Sequence, residues 1–188
     1  MDAAIGRLID ELKAQGAYEN TVILYTGDNG YFQADRGLAD KWYPYEESIR
    51  VPFLLRDPRA RAAGITKDQT VLNIDVGPTV LRAAGLRVPA AMQGTDVAPL
   101  YLSADPPRWR DEFFYEHPTV TSRDRIPASL AVVRRDAKYV LYPEWEYEQL
   151  FDLERDPTEL RNVVDDPRSR PLLERMRRAL EEWRERAR

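Results

Sequence analysis

The fold is decided by residues 21–30, which read TVILYTGDNG. The first six residues are almost all β-branched or apolar, which is typical of strands that are buried on both faces of an α/β sheet. The strand breaks at Gly27, and an acidic residue and an amide follow at once. Because open α/β sheets bind ligands at the carboxyl ends of their strands, this run predicts a core strand with a candidate site directly after it.

The surrounding sequence alternates helix and strand patterns. Apolar residues at helical spacing over residues 2–15 predict an amphipathic helix, and Gly16 stands where a helix C-cap is expected. Residues 51–55 predict a second strand, and residues 76–84 predict another helix. Residues 27–50 have no sustained period but are rich in Asp, Gly, Tyr and Trp, as functional loops often are.

The second half has a different pattern. After a proline-bearing connection over residues 87–110, four short strand-like runs predict an antiparallel sheet, and an apolar stripe after Pro171 predicts a terminal helix. We therefore expect an α/β body over residues 1–105 and an α+β part over residues 106–188. Two strands would leave a parallel sheet with open edges, so the first part looks incomplete. The four strand-like runs are residues 113–115, 129–134, 138–142 and 149–153.

Composition excludes several classes of protein. The 188 residues are 43% hydrophobic, and 28 Lys and Arg against 32 Asp and Glu give a formal charge of -4, so neither a nucleic acid nor a membrane is an expected partner. The absence of cysteine excludes disulfides, thiolate metal sites and a cysteine nucleophile. No apolar run approaches the ~20 residues of a spanning helix, and the chain does not begin like a signal peptide. We expect a soluble chain, cytoplasmic as written, whose parent could be periplasmic or secreted.

Asp28 and Asn29 are candidate metal ligands. A carboxylate and an amide oxygen suit a hard divalent cation, and Gly30 allows the backbone to turn tightly beside them. The same three residues are also a common turn composition, and that alternative stays open. Since Ca²⁺ takes ~6–8 oxygen ligands, these two side chains could form only part of a site.

Two further residues could carry chemistry. Lys41 lies among aromatic residues of the same loop, where it could bind an anion or could be an exposed surface lysine. His117 is the only histidine, so it is the one side chain whose ordinary pKa allows proton transfer near neutral pH, although a purely structural role is equally open. No nucleophile elbow, P-loop or zincin motif is present, which disfavours a serine hydrolase, a P-loop nucleotide enzyme and a zinc protease.

Together these motifs are more specific than each alone. In its order of motifs, over nearly the whole chain, the sequence resembles the second half of a sulfatase. The residues that carry the resemblance are 5–12, Gly16, 20–31, Lys41, 45–48, 50–52, 73–75, 78–79, 84–85, 93–94, 150–153, 156–157, 159–160 and Asn162.

The resemblance implies a fold and a chemistry. Sulfatases belong to the alkaline-phosphatase-like superfamily, so residues 1–105 would be the C-terminal part of its α/β domain and residues 106–188 the smaller antiparallel sheet with its helix. The family cleaves sulfate esters with a formylglycine beside Ca²⁺ or a similar cation. Asp28 and Asn29 would be metal ligands, and Lys41 would be catalytic and would contact the sulfate group. The expected substrate is a sulfate-ester small molecule or a sulfated glycan.

The departures from the family pattern also matter. The motif that gives formylglycine, Cys or Ser followed by x-Pro-x-Arg, is absent, so that group is expected only in a missing N-terminal part. Arg36 stands where many relatives have a histidine, and an arginine can hold an anion but cannot relay a proton. We therefore treat Arg36 and His117 as candidate substrate-binding residues.

The sequence predicts a C-terminal fragment of a sulfatase that is inactive alone, so whether these residues act as an enzyme is left uncertain. One alternative is a phosphonate or phosphate monoester hydrolase of the same superfamily, because a metal and a lysine suit phosphoryl and sulfuryl groups alike. Another is a non-catalytic binding module or pseudoenzyme, which could pair with a separate N-terminal half.

Overall fold

A computed structural model describes residues 1–187 and divides the chain into two compact units. The first unit is Met1–Asp28 with Pro52–Arg108, and the second is Asn29–Val51 with Trp109–Arg188. The helices and strands in chain order are α1 (Asp2–Ala14), β1 (Ile23–Thr26), β2 (Phe32–Gln33), β3 (Ala39–Asp40), α2 (Glu46–Ile49), β4 (Phe53–Arg56), α3 (Val76–Ala83), α4 (Pro99–Leu102), β5 (Glu112–His117), β6 (Ser129–Arg134), β7 (Ala137–Tyr142), β8 (Tyr147–Asp152) and α5 (Arg170–Arg186).

The expected fold class is confirmed. The chain combines α and β elements, and β5 to β8 form a four-stranded antiparallel sheet that is followed by the terminal helix α5. The loop predicted over residues 27–50 holds only short elements, the paired strands β2 and β3 and the four-residue helix α2. The domain boundary near residue 105 stays a prediction, and the structure adds that residues 29–51 group with the second half of the chain.

Helix α1 follows the predicted periodicity and ends as predicted. Gly16 adopts a φ of +66°, and the Ala17 N–H donates to the Leu12 carbonyl at 2.9 Å, so a left-handed residue closes the last turn. Among the described residues of α1 none is buried, and Leu8 is 59% exposed. Of the apolar stripe of α1, Leu8 is exposed, and Ile5, Ile9 and Leu12 are half-buried.

Strands β1 and β4 correct two expectations. They pair antiparallel, with Tyr25 opposite Leu54, instead of lying parallel. A parallel return needs a crossover of a dozen or more residues, usually a helix, and α2 with four residues is too short for that role. Every residue of β1 is half-buried, so the strand is not buried on both faces in this structure.

Asp75 organises the start of α3 from its buried position. Its carboxylate accepts hydrogen bonds from the Leu72 N–H at 2.8 Å and the Thr95 N–H at 2.7 Å, which ties residues far apart in sequence. Asp75 stands at the N-cap of α3, but the N–H groups that its side chain binds belong to Leu72 and Thr95, outside the helix. Gly85, with a φ of +73°, follows the end of the helix.

The second unit has a two-sided core around its sheet. On one face, residues of β6, β7 and β8 pack against α5, and on the other they pack against aromatic residues of the 29–51 segment. The first cluster is Leu130, Val132, Ala137, Tyr139, Leu150, Leu173, Met176 and Leu180, and the second is Ala131, Val140, Tyr142 and Phe151 with Tyr43, Tyr45, Tyr115 and Leu153 beside it.

Within the described 187 residues, no helix combines the length and the apolar character needed to cross a bilayer.

Candidate functional site

Aromatic contacts hold the 29–51 segment on the sheet of the second unit. The Tyr45 ring meets Phe32 edge-on at 6.2 Å between centroids and meets Phe151 of β8 at 6.1 Å. Phe32 is 1% exposed, and the Tyr45 hydroxyl donates to Gln149 Oε1 at 2.9 Å. The segment is thus an ordered platform and not a loose loop, because its large side chains are part of the core.

This platform brings Asn29 and Lys41 together. Lys41 Nζ donates a hydrogen bond to Asn29 Oδ1 at 2.9 Å, although the two residues are twelve positions apart. The ammonium lies 6.0 Å from the centroid of the Trp42 ring. The predicted anion-binding lysine and one predicted metal ligand are therefore direct neighbours.

Hydrogen bonds to the backbone of Lys41 and Gly30 hold this pair in place. The Ser48 hydroxyl donates to the Lys41 carbonyl at 2.6 Å, and the Gly30 N–H donates to the Ser48 carbonyl at 2.7 Å. A Cβ on Gly30 would lie 2.1 Å from the carbonyl oxygen of Glu47, far inside van der Waals contact. Glycine at position 30 is therefore required by the close approach of two backbone segments.

Asp28 precedes Asn29 in the chain and is the last residue of the first of the two segments that form the first unit. Its carbonyl oxygen accepts a hydrogen bond from Asn73 Nδ2 at 2.7 Å. Across residues 1–187 no group of three or more His, Cys, Asp or Glu side chains could hold a metal ion. The oxygen atoms of Asp28 and Asn29 fit a hard divalent cation in kind, but they would supply only part of its coordination shell.

Arg36 is engaged by other residues of the second unit. Its Nε donates to both carboxylate oxygens of Glu47 at 3.2 Å, and its Nη1 donates to the Glu159 carbonyl at 2.6 Å. The guanidinium also lies 4.4 Å from the centroid of the Tyr45 ring, and the side chain is only 14% exposed. Most of the donors of this predicted substrate contact are thus directed at protein acceptors.

His117 lies at the end of β5, beside the platform. Its ring meets Trp42 edge-on at 5.5 Å between centroids and stacks with Tyr115 at 6.5 Å. His117 Nδ1 is buried and has no hydrogen-bond partner among the residues that the structure describes. Burial raises the pKa of Tyr115 to about 12, so the hydroxyl of this neighbour stays neutral at physiological pH. His117 therefore contacts the 29–51 segment at Trp42, next to Lys41, and its other ring neighbour is Tyr115.

Sequence reasoning missed a set of buried charges beneath the platform. Lys138 on β7 and Glu159 after β8 are 0% and 2% exposed, and they form an ion pair with each other. Glu46 joins them, since Lys138 Nζ donates to Glu46 Oε1 at 3.0 Å. A lysine inside the apolar run of β7 was the one available signal, because charged residues are almost never fully buried unless they are paired.

The Lys41–Asn29 pair can bind charged groups of either sign. It presents an ammonium and an amide oxygen side by side on an ordered segment, so it can offer one group to an anion and one to a cation.

The sequence comparisons agree on one family. The model of "N-sulphoglucosamine sulphohydrolase, C-terminal" matches residues 34–186. An N-acetylglucosamine-6-O-sulfatase of Bacteroides thetaiotaomicron is 32% identical over 169 residues, which are 87% of this chain and 30% of that protein. The chain therefore spans about a third of the length of this curated relative.

The comparison of structures points the same way. A protein solved in complex with its substrate D-glucosamine-2-N,6-O-disulfate has a TM-score of 0.90 and 29% identity, and the match covers 98% of this chain and 38% of that one. A phosphonate monoester hydrolase from Silicibacter pomeroyi has a TM-score of 0.87 and 28% identity, over 98% of this chain and 38% of that one.

Proposed function

We propose that this chain, which belongs to the sulfatase family, supplies the anion-binding lysine and part of the metal site of a sulfuric ester hydrolase. The family model matches it as the C-terminal portion. The observation that carries the proposal is the hydrogen bond of 2.9 Å from Lys41 Nζ to Asn29 Oδ1 on the ordered 29–51 segment. It joins the two residue types that the chemistry needs.

In this proposal Lys41 binds the sulfate group of the substrate. Its ammonium would neutralise negative charge on the non-bridging sulfate oxygens, and the fixed Ser48–Lys41 backbone contact would hold it in place without reorganisation. Asp28 and Asn29 would hold a divalent cation such as Ca²⁺ together with ligands from outside these residues. A bound cation would add further charge stabilisation on the same oxygens.

Arg36 and His117 stay predictions as substrate contacts. The Arg36 donors are used by Glu47, Thr158 and Glu159, so we favour a structural role for this side chain. His117 contacts the segment at Trp42, so as a substrate contact it would act at the rim of the site.

The proposed substrates are sulfate-ester small molecules or sulfated glycans, since one similar structure holds a sulfated glucosamine. The second candidate is hydrolysis of phosphonate or phosphate monoesters, which the similarity to phosphonate monoester hydrolases favours.

A protein that contains residues 1–188 and the nucleophile segment would decide between the two candidate functions. Faster turnover of a sulfate ester than of a matched phosphonate ester supports the first candidate, and the reverse supports the second.

We expect the 188-residue chain alone to bind inorganic sulfate through Lys41 but not to hydrolyse an aryl sulfate, because it holds no formylglycine motif. The test is a sulfate titration followed by NMR, with an aryl sulfate assay on the same samples. Lys41→Ala should weaken sulfate binding about tenfold, in line with the loss of one charge-assisted contact. Lys67→Ala is the matched control, since Lys67 is an exposed lysine of the first unit.

The outcomes separate the parts of the proposal. Equal sulfate affinity of the wild type and Lys41→Ala would refute the role of Lys41. Turnover of the aryl sulfate that disappears in Lys41→Ala would refute the expected inactivity. Calcium titration adds a third readout: weak binding is expected from two ligands, and micromolar affinity in a cooperatively folded chain would favour an independent binding module.

A further inference from the structure

Four charged side chains from separate segments meet beneath the 29–51 platform. Glu159, in the turn after β8, contacts the side chains of Lys138 and Arg36, and the Glu46 carboxylate pairs with Lys138. Glu159 forms an ion pair with Lys138 of β7, its Oε2 accepts from the Glu46 N–H at 3.0 Å, and its Oε2 lies 3.4 Å from Arg36 Nη2. The side chains of Glu159 and Lys138 are 0% exposed.

Glu159 is held in a costly conformation. Its φ is +54°, a left-handed value that is unfavourable for a residue with a side chain. A buried carboxylate is also unfavourable unless it is paired and hydrogen-bonded. The ion pair with Lys138 and the hydrogen bond from the Glu46 N–H stabilise the buried carboxylate.

A short chain of contacts leads from Glu159 to the proposed anion site. Glu159 holds the first N–H of α2 at Glu46, and two residues later in α2 the Ser48 hydroxyl donates to the Lys41 carbonyl at 2.6 Å. The Ser48 carbonyl accepts the Gly30 N–H at 2.7 Å, next to Asn29. Helix α2 therefore connects Glu159 with the backbone of Lys41 and with Gly30, which follows Asn29.

We propose that Glu159 is a positioning residue that, through α2, sets Lys41 for anion binding with Asn29 beside it. The inference rests on the proposed function for the anion, but the positioning itself can be measured without any ligand. It assigns a role to a residue that lies outside the 29–51 segment.

The experiment uses the whole chain with isotope-labelled lysine. The sequence holds only four lysines, Lys13, Lys41, Lys67 and Lys138, so the Lys41 side-chain signal can be assigned by single Lys→Arg changes. Glu159→Gln keeps the shape of the side chain and removes its charge. We expect it to shift the Lys41 signal and to weaken binding of inorganic sulfate about tenfold, as loss of a supporting contact typically does.

Glu148→Gln is the matched control. Glu148 is also a paired carboxylate of the second unit, but its partners are on other elements: it accepts from Arg177 Nε of α5 at 2.8 Å and from the Tyr139 hydroxyl of β7. This change should lower stability while it leaves the Lys41 signal and sulfate binding as in the wild type.

Each result has a defined meaning. A folded Glu159→Gln chain with an unchanged Lys41 signal overturns the inference, and so does a Lys41 shift of equal size in Glu148→Gln. A Lys41 signal that moves only in Glu159→Gln, while Lys41→Ala binds sulfate like the wild type, upholds the positioning and overturns the proposed anion role. Should Glu159→Gln fail to fold, Glu159→Asp replaces it, because the shorter side chain should lose the contact with the Glu46 N–H, and a folded Glu159→Asp chain with an unchanged Lys41 signal also overturns the inference.

Discussion

Asp57 is a buried carboxylate whose charged form is stabilised by hydrogen bonds in the native state. It is 5% exposed, accepts three hydrogen bonds from the Arg59 side chain between 2.6 and 3.1 Å, and accepts another from the Tyr101 hydroxyl at 2.8 Å. The hydrogen bonds from Arg59 lower the pKa of Asp57 to about 2. The native state therefore favours the charged carboxylate more than the unfolded chain does.

This pKa predicts a dependence of stability on pH. Because the native pKa lies below the unfolded value of 3.8, the stabilisation is complete above about pH 4 and is lost as pH falls through about 2. Asp57→Asn should lower the free energy of unfolding by about 1–2 kcal/mol at pH 7 and should flatten its dependence on pH between about 2 and 4. The figure allows for the partial exposure of Arg59 to water, which screens the interaction. Urea unfolding at several pH values measures both effects. A variant with the wild-type pH slope between pH 2 and 4 would contradict the assignment.

At the same scale, the sequence predicted residue types better than residue partners. Asn29 follows a predicted strand and Lys41 lies in the same aromatic loop, and the structure brings them within hydrogen-bond distance. Arg36 stands where many relatives have a histidine, but its acceptors at Thr158 and Glu159 lie more than 120 positions away in the chain. Such pairing depends on the fold, so no local pattern could have indicated it.

Helix α5 illustrates how an element is stabilised by one buried stripe. Leu173, Met176 and Leu180 lie on its buried face against the sheet, and Met176 is fully buried. Arginines and glutamates occupy much of the rest of its surface. The helix is thus held to the second unit by apolar contacts of a few side chains.

Met176→Ala should destabilise the second unit by about 2–5 kcal/mol, because it removes buried methylene groups and leaves a cavity. The exposed Arg178 on the same helix provides the control, and Arg178→Ala should change stability by less than about 0.5 kcal/mol. Chemical denaturation followed by the tryptophan fluorescence of the chain compares the two. Similar midpoints for both variants would show that α5 is not bound through this stripe.

Elements were predictable where the period was long and regular. The stripe of α5 and the four strands of its sheet followed from apolar spacing, and all of them are confirmed. The direction of β1 against β4 was not predictable from the two strands, since both are short apolar runs that would fit either orientation. The connection between β1 and β4 lacks a long helix, and this indicates antiparallel pairing.

On the scale of the whole chain, buried apolar residues are distributed unevenly. The second unit holds both core clusters, whereas the buried hydrophobic residues of the first unit are Val97, Ala98 and Leu100. The sequence indicated two parts but not that residues 29–51 join the later one. That grouping arises from aromatic contacts such as the one from Tyr45 to Phe151, which are long-range in sequence.

This distribution predicts where the backbone is protected from hydrogen exchange. Amides of β6 and β7 should exchange slowest, because their residues are almost all buried, and amides of α1 should exchange fastest among the helices of eight or more residues, because none of its side chains is buried. Exchange measured by mass spectrometry or NMR on the chain tests this order. Equal protection of α1 and β6 would contradict it.

The close approach at Gly30 also constrains how the gene can change. Every other amino acid places a carbon where the Glu47 carbonyl oxygen already lies, so no substitution at this codon keeps the two backbones together. Gly6 has open space around it and an ordinary φ, so its codon carries no such restriction. In a population of genes that accumulates random mutations under selection for the folded segment, position 30 would stay glycine while position 6 drifts.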